Sequence, residues 1–236
     1  VADGCDTLVA PASLALRLAE VDGLSSMPKL RHVIGLWRSP EQAGSSALWP
    51  DTRVRMTDVY LFGEAGLLGS RRADDGSPTS VMPGPYRAPP DIPASSTAGE
   101  LILTSKGTLG LRGPMVPIAA YATSERSSDT LIAQPQPDYV DTGYAARIDR
   151  ATGAISITAP PSGVLTVGGY RFLAYDLQEW ARRLGQNAML TALPDRLSGH
   201  RLAGRASDNA RAREALTELG LNPLMVEAFR DRSAAD

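Results

Sequence analysis

The chain has 236 residues, a formal net charge of −2 and a pI near 5.8, so it is long enough to bury a large core but lacks the cationic face that nucleic acid or an anionic membrane would require. Cys5 is the only cysteine, which excludes an internal disulfide framework and any multi-cysteine metal site, and no apolar run reaches the roughly 20 residues needed to span a bilayer. The composition fits a soluble cytoplasmic protein with neither nucleic-acid nor membrane partners, and the opening residues, which carry no start methionine and no basic-then-apolar leader, fit a fragment or processed chain.

Thr7 to Ala10 reads as the end of a strand, followed by Pro11 at a first helical turn and by Leu14, Leu18 and Val21 on one helical face. Leu30 to Trp37 and Val54 to Phe62 read as strands, with a short helix opened by Ser39-Pro40-Glu41 between them. This alternation predicts an α/β layer. Residues 74–98 are rich in Pro, Gly, Ser and Asp and predict a long surface excursion. GELILTS and GTLGLRG predict two strands joined at Lys106-Gly107, and the polar, proline-bearing stretch 122–138 follows.

The segment YVDTGYAARIDRATGAISIT predicts a short turn at Asp141-Thr142-Gly143 and then a hairpin with its own turn at Asp149 to Gly153. Pro160-Pro161-Ser162-Gly163 interrupts the pattern and predicts a domain boundary, with one domain over 1–163 and a compact α+β unit over 164–236. That unit reads as strand Val164 to Val167, Gly168-Gly169, helix Ala174 to Leu184, strands Ala188 to Leu193 and His200 to Arg205, and helix Ser207 to Leu219.

Several chemistries are disfavoured by the residues present. His32 and His200 are the only histidines and sit in a strand pattern and after a Ser198-Gly199 turn, where a core or surface role outweighs catalysis. No GxSxG occurs, and Gly107, Gly110 and Gly113 lie within strands, where close strand packing explains them better than a phosphate loop. The arginines from Arg201 to Arg213 alternate with Asp208 and Glu214 and read as a solvated face. Asp58-Val59-Tyr60-Leu61-Phe62-Gly63-Glu64 is more informative: a strand ends and delivers the Glu64 carboxylate on a glycine-softened turn beside an aromatic, an arrangement suited to a hard cation and a stacked base.

Taken in order, these pieces resemble the adenylate-forming (AMP-binding) superfamily of acyl- and aryl-CoA synthetases, luciferases and peptide-synthetase adenylation domains. Tyr60-Leu61-Phe62-Gly63-Glu64 is similar to the family's Tyr-Gly-x-Thr-Glu, Glu100-Leu101 and Leu111-Arg112-Gly113-Pro114-Met115-Val116 to its Gly-Glu-Leu…Arg-Gly-Pro stretch, and Thr142-Gly143-Tyr144 to its Thr-Gly-Asp. Val167-Gly168-Gly169-Tyr170-Arg171 resembles the segment that opens the family's small mobile domain. The resemblance implies an α/β (α+β) fold made of the later part of the large domain, 1–163, and the small C-terminal domain, 164–236. It implies ATP or AMP as cofactor, with Tyr60, Gly63, Thr142, Gly143 and Tyr144 at the nucleotide, Glu64 on magnesium, and Gly168 and Gly169 admitting the pantetheine of CoA. A carboxylic acid or acyl substrate, and a carrier protein as partner, are implied in the same way.

The departures bear on chemistry. A phenol at Tyr144 replaces the carboxylate that receives the ribose hydroxyls, Pro160 and Gly163 replace the charged hinge residues, Gly63 replaces a threonine, no lysine follows Lys106, and the phosphate loop would lie before Val1. The expectation is an acyl-CoA synthetase-like ligase that is inactive as this chain, with no catalytic residue assigned; the alternative is a non-catalytic module that binds an acyl group, a carrier protein or a partner enzyme.

Overall fold

The structure, a computed structural model, describes residues 4–51, 53–63, 65–86, 99–114, 116–117, 119–121, 131–133, 139–168, 170–185, 187–195 and 197–230. It divides into two compact units, 1–161 and 162–236. The fold is mixed α/β with several sheets.

In the first unit, β1 (Thr7–Pro11), β2 (His32–Trp37) and β3 (Arg55–Leu61) pair in parallel, and β4 (Leu67–Arg71) returns antiparallel to β3, giving the order β1-β2-β3-β4. Helix α1 (Ala12–Glu20) makes the crossover from β1 to β2, and a 3-10 helix covers Pro40–Ser45. The helix buries Ala12, Ala15 and Leu16; of the face expected from the larger side chains, Leu18 is half-buried against the core whereas Leu14 and Val21 are exposed. The reason is steric. Gly35 of β2 has no side chain, a Cβ there would collide with Met56 Cε and lie 3.1 Å from the Ala12 Cβ, and small alanines let the helix settle on that spot.

The second sheet of this unit is antiparallel, in the order β11-β10-β7-β6-β5, and is built from β5 (Gly84–Tyr86), β6 (Gly99–Leu103), β7 (Thr108–Arg112), β10 (Val140–Ile148) and β11 (Ile155–Ala159). Short strands β8 (Ala119–Tyr121) and β9 (Leu131–Ala133) pair with each other. Two expectations need correction here. The surface excursion 74–98 contributes β5 and a bridge from Val81 to Ile155, and 87–98 lie outside the described residues. The turn at Asp141-Thr142-Gly143 is a bulge within one continuous strand, β10, because Gly143 adopts φ +73° and shifts the register against β7 between Asp141 and Ala145. Gly110 of β7 faces Ile102, and a Cβ there would come within 2.8 Å of Ile102 Cγ1, so close packing of the strands accounts for this glycine.

The second unit places β12 (Val164–Val167), β13 (Tyr170–Leu173), β14 (Met189–Asp195) and β15 (Gly199–Arg205) in the order β13-β12-β15-β14. Helices α2 (Ala174–Arg183), α3 (Asn209–Glu218) and α4 (Pro223–Val226) and a 3-10 turn at Glu227–Phe229 complete it. Its core is Val167, Leu177, Leu202, Leu216, Met225 and Phe229 with their neighbours. The α2 start is fixed by Asp176, whose Oδ2 accepts from the Leu173 N–H at 2.8 Å, and the α3 start by Asp208, whose Oδ1 accepts from the Arg211 N–H at 3.0 Å. Strand β13 and helix α4 are additions to the pattern read from sequence.

Candidate nucleotide site

The register of the first sheet puts Val33, Gly35 and Trp37 of β2, Met56, Asp58 and Tyr60 of β3, and Leu68 of β4 on one face, directed into the core. Tyr60 is therefore a core residue, 4 % exposed. Burial, and secondarily the Asp58 carboxylate, push its phenol up to about 12, with Arg72 opposing the shift. Beyond β3, Phe62 is buried and Gly63 takes φ +62°; the turn to β4 is closed by the Phe62 N–H donating to the Gly66 carbonyl at 3.0 Å. Glu64, the expected magnesium ligand, lies outside the described residues, as does Gly169.

From the second sheet, the β10 bulge brings Thr142, Gly143 and Tyr144. The Thr142 hydroxyl donates to the Leu109 carbonyl at 2.8 Å and accepts from the Tyr144 N–H at 3.3 Å, so it is engaged locally in both directions. The Gly143 N–H donates to Asp141 Oδ1 at 2.9 Å, an Asx turn that stabilises the bulge. Tyr144 is 1 % exposed, among the largest fully buried side chains of the protein, and its ring meets Phe62 edge-on with centroids 5.6 Å apart and planes at 76°. The two motifs expected at the nucleotide thus come together as an aromatic joint between the two sheets of the first unit. In the second unit, Gly168 takes φ +55°, and a Cβ there would collide with Leu224 Cδ1.

The resemblance's closest stretch also has a structural place. Glu100 and Arg112 face each other across β6 and β7, and Arg112 Nε donates to Glu100 Oε2 at 2.7 Å; that hydrogen bond holds the Glu100 carboxyl below its ordinary range.

Sequence reasoning missed the most elaborate polar cluster. Asp58 is fully buried and accepts from Trp37 Nε1 at 2.7 Å and from Arg72 Nε at 2.9 Å and Nη2 at 3.3 Å. Arg72 also donates to the Ala47 carbonyl at 2.7 Å, the Gly76 carbonyl at 3.1 Å and Ser46 Oγ at 2.7 Å, which uses all of its N–H groups. An aspartate in the middle of an apolar strand pattern was the available signal, but nothing in the sequence pointed to Arg72 as its partner. No group of three or more His, Cys, Asp or Glu side chains able to hold a metal ion occurs among the described residues, and no helix among them is long and apolar enough to cross a membrane.

No protein-family model and no curated protein matches the chain. Solved structures do. The amide bond synthetase McbA from Marinactinospora thermotolerans matches with a TM-score of 0.60 at 16 % identity, over 95 % of this chain and 47 % of that one. The adenylation domain AlmE of Vibrio cholerae, solved in complex with glycyl-adenosine-5'-phosphate, matches with a TM-score of 0.58 at 13 % identity, over 95 % and 46 % of the respective chains. A malonyl-CoA ligase with methylmalonyl-CoA and AMP bound matches with a TM-score of 0.51 at 16 % identity, over 97 % and 51 %. The chain thus spans about half the length of the structures it matches. At this level of identity the likeness concerns the fold, and the fold of this chain is that of a portion of adenylate-forming proteins.

Proposed function

We propose that the chain carries the later part of an adenylate-forming ligase scaffold, of the acyl-CoA synthetase type, and does not itself activate carboxylates. The fold likeness supports the scaffold, and the burial of Tyr144 carries the second half of the reading. A ribose-binding position needs acceptors that face an open cleft. Here the residue at that position is a phenol enclosed in the core against Phe62, and the neighbouring Thr142 hydroxyl is engaged by the backbone. Tyr60, expected on adenine, is buried on the core face of its strand. As placed here, Tyr60, Thr142 and Tyr144 do not fit a nucleotide.

Titration calorimetry of AMP, and of ATP with magnesium, into the purified chain tests this reading. The expected result is no saturable heat up to millimolar nucleotide, for the wild type and for Tyr144→Phe alike. A one-to-one isotherm in the micromolar range, lost in Tyr144→Ala, would overturn it.

A further inference from the structure

At the end of the sheet where β2 and β3 begin and β4 finishes, the register gathers polar side chains of one kind. His32 of β2 stands opposite Arg55 of β3, and Thr57 of β3 stands opposite Arg71 of β4. Partners directly opposite each other point to the same side of a sheet, and Arg55 and Thr57 flank the buried Met56, so all four side chains share the face turned away from the core. His32, Arg55 and Arg71 are exposed and Thr57 is half-buried. Among the described residues, no ion pair or side-chain hydrogen bond engages any of the four side chains. Other arginines of the same unit are matched: Arg53 meets Asp51 at 3.1 Å, and Arg112 meets Glu100 at 2.7 Å across β6 and β7. Like charges on neighbouring strands repel, and an arginine cannot relieve the repulsion by losing its proton. Although the chain as a whole is slightly acidic, this spot is a cluster of donors with no acceptor.

We propose that His32, Arg55, Thr57 and Arg71 bind a doubly charged phosphate group, free or carried as a small monoester. The two guanidinium groups supply charge and forked N–H donors, His32 supplies an imidazole N–H and Thr57 a hydroxyl, so a tetrahedral oxyanion seated over β3 meets donors from three adjacent strands. The site is separate from the nucleotide positions discussed above: His32 and Arg55 open their strands and Arg71 closes β4, whereas Tyr60 lies toward the other end of β3. It therefore does not depend on the scaffold reading.

The test is proton NMR of the imidazole Cε1–H signals while inorganic phosphate or methyl phosphate is added at fixed neutral pH and constant ionic strength. His32 and His200 are the only histidines, so one reports on the site and the other, in the second unit with its Nδ1 3.2 Å from the Thr166 carbonyl, serves as an internal control. The expected result is a saturable shift of the His32 signal in the millimolar range, with His200 unmoved. Tighter binding of methyl phosphate assigns the site to a monoester and tighter binding of inorganic phosphate to the free anion; either supports the proposal. Arg55→Gln and Arg71→Gln should each raise the half-saturating concentration at least about fivefold, since each removes one charge-assisted contact, and the double variant should show no saturation. Arg150→Gln, in the exposed turn between β10 and β11, should bind as wild type. An unchanged His200 signal in each variant reports that the fold is intact. No saturable His32 shift with either phosphate, an equal shift at His200, the same shift with chloride, or binding retained in the double variant would overturn the proposal.

Discussion

At the scale of single residues, the molecule is governed by where its polar groups are buried. Arg72 and Asp58 have side chains 2 % and 1 % exposed, and the pair spans two loops and two strands. Removing one partner leaves the other as an uncompensated buried charge. Arg72→Met should therefore cost about 3 to 5 kcal/mol of unfolding free energy, read from urea denaturation, and pairing it with Asp58→Leu should cost clearly less than the sum of the two single changes. Tyr60 supplies a pH signature. Its folded pKa is raised from 10.0 to about 12, so the neutral phenol's contribution is complete below pH 10 and is lost as pH rises through 12. The loss is on the order of 3 kcal/mol over that window. Tyr60→Phe should flatten the stability profile between pH 10 and 12 relative to wild type; parallel profiles for the two proteins would show that the phenol does not titrate as its burial requires.

At the scale of elements, the β10 bulge decides what faces inward. Because side chains alternate along a strand, the extra residue at Thr142-Gly143 sets which of the following residues enter the core, and Tyr144 and Ala146 do. Gly143 makes this conformation accessible with φ +73°, and a Cβ there would also press on Pro161 Cβ at 3.2 Å. Gly143→Ala should destabilise the chain by more than about 1 kcal/mol, seen as a lowered denaturation midpoint with unchanged m-value. A neutral outcome would mean that the bulge relaxes without strain. The elements that were legible in the sequence are strands with a sustained run of β-branched and aromatic residues, as in β2, β3 and β12, and the longer helices α1, α2 and α3. Strand β4, Leu-Leu-Gly-Ser-Arg, and β13, next to two glycines, were not, since neither shows alternation long enough to separate strand from turn. The buried face of α1 was misread because alanines carry little hydrophobic signal yet pack best over Gly35. The motifs were legible in order, and packing of Tyr144 over the hairpin and against the hinge was as readable from sequence as nucleotide contact; its contact with Phe62 was not, because Phe62 follows β3 of the other sheet and only the folded chain brings the two rings together.

At the scale of the whole molecule, a mixed α/β body with the fold of part of an adenylate-forming protein carries aromatic packing where the resemblance places a nucleotide. Carboxylate activation requires preorganised groups that offset the charge growing on the α-phosphate, and removing even one such donor typically costs about 100- to 1000-fold in rate. A position closed by Tyr144 is not reopened by changing its charge alone, since Tyr144→Asp would bury a carboxylate against Phe62 and destabilise the core rather than create a ribose site. The most direct test of this account is carboxylate-dependent exchange of labelled pyrophosphate into ATP by the purified chain, assayed with a broad panel of fatty and aromatic acids. The account predicts exchange at the level of the enzyme-free blank for both wild type and Tyr144→Asp, whereas exchange clearly above the blank that Glu64→Gln abolishes would contradict it.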